Sequence, residues 1–214
     1  RLFASEAMET ARNGLKDLGL IPLAMWPNGF KQFTNMRHPL LSPADFQGLT
    51  FRVQAGAVLH DQFQAVGATA VVSSFDTLYS EIEHQSVDGQ ENTLSNIYTL
   101  NLQELQPYLT ISNHGYLSYV VMTQAAWWNG LDPQVQRQLR DALAETTQWS
   151  RTNARVMNDQ ALRKMLESGK VEVRTLSQDQ QAALEAAFAP AYRAVADRLG
   201  DQFMTQVLQT VNGR

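Results

Sequence analysis

The sequence predicts an α/β protein organised as two lobes. Short apolar runs alternate with helix-patterned segments along the chain, and Gly or Pro punctuates most of the junctions. A single amphipathic segment from Pro133 to about Ser168 would span on the order of 50 Å, longer than one small domain is wide, so it is expected to bridge the lobes.

Residues 5–18 read as a helix stopped by Gly19, followed by a buried strand over 20–26 that ends in a loop at Pro27-Asn28-Gly29. Ser42-Pro43-Ala44-Asp45 is a helix-start signature, with a cap, a proline in the first turn and an acid at the positive end of the dipole. Thr50-Phe51-Arg52-Val53-Gln54 alternates, so Phe51 and Val53 share one face and Arg52 takes the other. A helix over 58–66, a strand over 70–73, and a helix over 76–85 capped by Asp76 follow. Val87-Asp88-Gly89-Gln90-Glu91-Asn92 reads as a strand running into polar residues, with a helix over 93–100; such strand-to-helix junctions are where open α/β sheets hold ligands. Two strands are expected over 109–112 and 117–123. After the long helix come a strand over 171–174 and a last helix from a Ser177/Gln180 capping box, in which Pro190 should break or kink the chain.

Composition narrows the function. The 214 residues are 44% hydrophobic, enough for a sizeable core, and slightly long for a single domain of roughly 100–200 residues. Seventeen basic against 21 acidic residues give a net charge of -4, with Lys and Arg scattered, which argues against nucleic acid as a partner. No apolar run approaches the roughly 20 residues of a membrane span, and residues 1–11 lack a signal-peptide layout. With no cysteine, disulfides, thiolate catalysis and Cys-based zinc sites are excluded, and there is a slight tilt towards an oxidising compartment.

No nucleophile elbow, phosphate loop, dinucleotide fingerprint or paired-histidine zinc motif occurs, so no catalytic residue, metal or cofactor is expected. Glu81-Ile82-Glu83-His84 contains one Glu-x-x-His pair, which reads as a solvated helix face. His38, His60, His84 and His114 lie in different elements; for His114, beside Gly115 and Tyr116 at a strand end, the residues leave two readings, a side chain lining a cleft or an ordinary hydrogen-bonded or surface imidazole. Spacing alone leaves Arg52 as either a surface cation or a carboxylate anchor. The chemistry favours the anchor, because a planar, permanently charged fork on a strand can give a carboxylate two parallel N–H···O bonds. Asn92 can donate and accept beside it, and Phe75 can supply an apolar wall. Trp127, Trp128 and Trp149 read as core or lobe-packing aromatics.

Four blocks in order carry a resemblance: Asn28-Gly29-Phe30-Lys31-Gln32-Phe33-Thr34-Asn35, Leu49-Thr50-Phe51-Arg52-Val53, Val87-Asp88-Gly89-Gln90-Glu91-Asn92 and Ser112-Asn113-His114-Gly115-Tyr116. Together they resemble the solute-binding proteins of tripartite ATP-independent periplasmic (TRAP) transporters, in the branch that takes C4-dicarboxylates. The resemblance implies a two-lobed periplasmic binding protein fold that closes on its ligand, a periplasmic location, and a small organic anion delivered to TRAP membrane subunits without reaction. It implies that Arg52 pairs with the ligand carboxylate, that Asn92 bonds the same group and that Phe75 packs on the ligand. Glu91 and His114 would form a polar network beneath, and Lys31, standing where sialate-binding relatives place an Arg, would be a further ligand contact that offers only a point charge, which argues against a sialate-type ligand. Other carboxylates (keto, aromatic or sugar acids) and a periplasmic ligand-sensing role remain open.

Thr93 departs from a proline common in the family. Relatives also begin roughly a hundred residues earlier, most of a domain. The first lobe is therefore expected to be incomplete, with the leader still further upstream. The expected division is 1–27 and 118–157 for the remnant of lobe one with hinge and spanning helix, and 28–117 and 158–214 for lobe two. Self-association through the incomplete lobe is a further expectation.

Overall fold

A computed structural model of the protein describes residues 5–212, so the ends of the expected lobes at residues 1–4 and 213–214 lie outside the described residues. The helices are α1 (Glu6–Asp17), α2 (Ala57–Ala65), α3 (Leu78–Glu83), α4 (Leu94–Thr99), α5 (Ala125–Asn129), α6 (Pro133–Glu167), α7 (Gln178–Leu199) and α8 (Asp201–Asn212). The strands are β1 (Leu20–Asn35), β2 (Thr50–Val53), β3 (Thr69–Val72), β4 (Gly89–Thr93), β5 (Tyr108–Gln124) and β6 (Glu172–Thr175). They form one mixed sheet in the order β3-β2-β4-β1-β5-β6. β2 runs parallel to β3 and β4, β6 parallel to β5, and β1 antiparallel to β4.

The chain divides into two compact units. One comprises Asn28–Leu117 and Val156–Val195, and the other Ser118–Arg155, Ala196 onward and the described residues up to Pro27. β1, β5, α6 and α7 each continue from one unit into the other. The C-terminal residues from Ala196 fall with the unit that holds α1, where the sequence had placed them in lobe two, because α8 packs against α1.

In the Asn28–Leu117 unit one face of the sheet buries an aromatic cluster of Phe33, Phe46, Phe51 and Phe63 with Val53, Leu184 and Phe188. Each such phenylalanine, removed from water, contributes about 1.5–3 kcal/mol. A second cluster joins Leu78 and Ile82 of α3, Leu94 and Ile97 of α4, and Ala161 and Met165 of α6. Alternation along β2 separates the faces as expected: Phe51 and Val53 enter the aromatic core and Arg52 points to the other side.

Several junctions differ from the sequence reading. Pro27-Asn28-Gly29 is not a loop; β1 passes through it unbroken. The small residue serves a close approach instead, since a Cβ on Gly29 would stand 2.8 Å from the Asn158 side chain, whose Nδ2 donates to the Asn28 carbonyl at 2.8 Å. The two strands expected over 109–123 are one, β5, with Asn113 in the left-handed region at φ 49°. Gln32 makes that irregularity affordable: its Oε1 accepts from the backbone N–H of Ser112 (2.8 Å) and Asn113 (3.0 Å). Asp76 does not cap α3; the cap position is Thr77. Pro190 does not break α7, which runs through it to Leu199 with Ala186 and Pro190 both exposed; the break falls at Gly200, φ 86°. Of the tryptophans only Trp128 is core, with the Arg140 guanidinium 4.9 Å above its ring; Trp127 and Trp149 are exposed.

Candidate functional site: buried donors at the ends of β2 and β4

β2 and β4 are adjacent and parallel, with Arg52 opposite Gln90. Because side chains alternate, Arg52, Gln90 and Asn92 share a face, while Phe51, Glu91 and Phe33 take the other. Arg52 is buried, and its exposure of 1% is exceptional for a cation with no direct carboxylate partner at hydrogen-bond distance. Its Nε donates to Ser73 Oγ at 3.3 Å and its Nη2 to the Ser73 carbonyl at 2.6 Å. Nη1 is buried without a hydrogen-bond partner. Burial pulls the guanidinium's pKa down, an effect partly offset by the charge of Glu91 and then of Glu81.

Asn92 is equally buried. Its Oδ1 accepts from the Thr93 N–H (3.0 Å) and from Asn96 Nδ2 (2.8 Å), which fixes the amide orientation and leaves Nδ2 as a buried donor without a partner. Two donors on neighbouring strands, one charged, thus stand unsatisfied on a single face. An unsatisfied buried donor costs roughly 1–3 kcal/mol, more for a charged group, so an acceptor that engages both recovers that cost on binding. Phe75 lies in the turn after β3 and is 38% exposed, an aromatic surface close in sequence to the Ser73 that holds Arg52.

Lys31, Glu91 and His114 form a separate group on the aromatic-core face. Lys31 Nζ lies 2.8 Å from Glu91 Oε1 and 2.6 Å from Oε2, with side-chain exposures of 6% and 0%. His114 stacks on Phe33 with ring centroids 3.8 Å apart, its Nδ1 lies 2.8 Å from Ser112 Oγ, and its Nε2 is 3.6 Å from Glu91 Oε2. Burial lowers the His114 pKa more than the Glu91 carboxylate raises it, so the imidazole is held neutral. The structure therefore brings Arg52 and Asn92 together but places Lys31 apart from them: its ammonium is engaged by Glu91, which explains why a charged lysine tolerates burial.

Sequence reasoning missed three polar side chains. Glu81, read as part of a solvated face, accepts from Ser73 Oγ at 2.7 Å and Thr77 Oγ1 at 2.8 Å. Ser73 carries the Arg52 contacts, and Gln32 pins the strand that bears His114. The spacing of Ser73 and Glu81, eight residues apart across a strand-to-helix turn, holds no periodic signal that would have announced the pair. No cluster of three or more His, Asp or Glu able to hold a metal occurs among the described residues.

Residues 1–199 match the family model for bacterial extracellular solute-binding protein, family 7. The chain belongs to this family. Among the relatives it matches, the C4-dicarboxylate-binding protein of Bacillus subtilis is 36% identical over 197 residues, which is 92% of this chain and 56% of the relative. A TRAP periplasmic solute binding protein from Shewanella oneidensis, crystallised with bound succinate, superposes with a TM-score of 0.94 at 32% identity, covering 97% of this chain and 68% of that one. A sugar acid binding protein from Advenella mimigardefordensis in complex with galactonate gives a TM-score of 0.93 at 31% identity, covering 99% and 68%. The chain spans 56–62% of the length of the first four curated relatives it matches.

Proposed function

We propose that this chain is part of a periplasmic solute-binding protein that captures a small organic acid, a C4-dicarboxylate such as succinate, malate or fumarate, and delivers it to TRAP membrane subunits without chemical change. The observation that carries the reading is the pair of buried, unpartnered donors Arg52 Nη1 and Asn92 Nδ2 on one face of the sheet. A carboxylate is their natural complement, with charge and hydrogen bonds together. Phe75 supplies an apolar surface for the ligand's carbon skeleton. Lys31, Glu91 and His114 act beneath the site as a rigid, charge-neutral support, with Lys31 neutralising Glu91 rather than touching ligand. The unit holding Asn28–Leu117 supplies these contacts as part of a lobe of the binding-protein fold.

Isothermal titration of the full-length protein with succinate, malate and fumarate tests the reading. Wild type binds with a measurable enthalpy, and Arg52→Ala weakens binding by roughly 200-fold or more, the equivalent of losing one partner of a buried charge pair. Unchanged affinity in Arg52→Ala removes Arg52 from the site. A sugar acid is the second reading, favoured by the likeness to the galactonate complex; galactonate binding more tightly than all three dicarboxylates would select it. The exposed Trp127 and Trp149 support self-association of the 214-residue chain, which light scattering would register as a mass above that of the monomer.

A further inference from the structure

Glu81 has no place in a carboxylate site by its charge, yet its two oxygens are committed to the turn that holds the anchor. Ser73 Oγ donates to Glu81 Oε2 at 2.7 Å, and Thr77 Oγ1 donates to Glu81 Oε1 at 2.8 Å. A serine hydroxyl has one hydrogen. A carboxylate can only accept, so Glu81 fixes where that hydrogen goes and turns the Ser73 lone pairs towards Arg52 Nε, 3.3 Å away. The Ser73 carbonyl takes Nη2 at 2.6 Å. One residue thereby occupies the side-on edge of the guanidinium, formed by Nε and Nη2. What remains for a ligand is the end-on edge, led by the unpartnered Nη1. The Thr77 bond ties the same carboxylate to the far end of the 73–77 turn, whose middle residue is Phe75.

We infer that Glu81 is a positioning residue for the binding site, acting through Ser73 to set which edge of Arg52 meets the ligand and, through Thr77, to hold the turn that carries Phe75. The inference rests on the reading of Arg52 as the carboxylate anchor. It differs from the expectation of a freely presented fork, because the side-on edge is held by the protein itself. The device suits a ligand whose carboxylate arrives end-on along the β2–β4 face, where Asn92 Nδ2 is the next free donor. Glu81 also sets a negative charge near the buried guanidinium, which helps keep it charged between ligands.

The test titrates succinate into full-length Glu81→Gln, Ser73→Ala and the double variant, with Arg52→Ala alongside. Glutamine can accept only one of the two hydroxyl bonds, so Glu81→Gln and Ser73→Ala should each weaken succinate about 5- to 20-fold, as expected for losing a charge-assisted hydrogen bond that orders a neighbour. Because both act through one relay, the double variant should be no more than about twofold weaker than the worse single. Ser73→Thr, which keeps the hydroxyl, should restore affinity, and the Arg52 Nε–H resonance should move in Glu81→Gln as its acceptor loosens. Singles within twofold of wild type while Arg52→Ala abolishes binding would overturn the positioning role and leave the anchor standing. Multiplying effects in the double variant would likewise overturn the relay. Unchanged affinity in Arg52→Ala would instead overturn the anchor, and this inference with it.

Discussion

Replacing Lys31 by methionine keeps most of the apolar stem of the side chain and removes the ammonium group, with its charge and its bonds to Glu91. The carboxylate it leaves behind, Glu91, has no solvent exposure and has Lys31 Nζ within 2.8 Å of both its oxygens. The nearest alternative cation, His114, is held neutral by burial with its Nε2 3.6 Å away. Removing one partner of such a buried pair costs about 3–5 kcal/mol. For a chain of this size, in which 1 kcal/mol moves the melting temperature by roughly 2–4 °C, the loss corresponds to a drop of about 6–20 °C. Thermal denaturation followed by circular dichroism at pH 7 is the assay. Two companion measurements isolate the mechanism. Lys31→Met combined with Glu91→Gln should recover most of the loss, since replacing both members of a buried pair by neutral groups of similar shape is often close to neutral. The deficit of the single variant should also shrink between pH 7 and pH 5, because removing the Lys31 charge, one of the influences that lowers the His114 pKa, eases proton uptake by His114 beside the orphan carboxylate. A single variant within about 2 °C of wild type at pH 7 would refute the reasoning.

The unmodified protein has its own pH signature at His114. Its pKa in the folded state lies below the ordinary value of 6.5, so the unfolded chain binds the proton first. Stability is then fully present above about pH 6.5 and falls as pH drops from there towards the folded-state pKa, by at most about 1.4 kcal/mol per pH unit. Melting curves between pH 7 and pH 5 should show this slope, and it should flatten in His114→Gln; an equal slope in both would assign the effect elsewhere. At the site itself, Asn92→Asp puts a negative charge beside the expected ligand carboxylate and removes the free Nδ2 donor. Succinate affinity should fall by more than about 100-fold, while Asn92→Ala, which loses only a hydrogen bond to a charged group, should lose about 10- to 100-fold. Equal losses in the two variants would place the carboxylate away from Asn92.

Local pattern made much of this architecture legible. The alternation of Thr50-Phe51-Arg52-Val53 put Arg52 opposite the apolar core, and the apolar phase along Pro133–Glu167 announced a helix of 35 residues. What failed were the junctions where tertiary contacts override local signals. Gly29 looked like a turn residue and instead makes room for Asn158; Pro190 sits inside a helix, on an exposed turn. Asn113 looked like a strand end until Gln32, 81 residues away in sequence, supplied the acceptor that lets β5 continue. The site divides in the same way. Arg52 and Asn92 could be nominated from their own strands, but Glu81 could not, because its proposed role exists only through the Ser73 and Thr77 hydroxyls of the turn before its helix. Lys31 could be nominated as a ligand contact only through the resemblance and not assigned to Glu91, since that pairing depends on the register between β1 and β4.

The central claim is that Arg52 and Asn92 hold a ligand carboxylate from one face of the sheet. A crystal structure of the full-length protein with succinate tests it most directly. The expected complex has one carboxylate with its oxygens within about 3 Å of Arg52 Nη1 and Asn92 Nδ2, the Ser73 contacts to Nε and Nη2 intact, and Lys31 still paired with Glu91. Succinate bound elsewhere, or Lys31 released from Glu91 to meet it, would contradict the account.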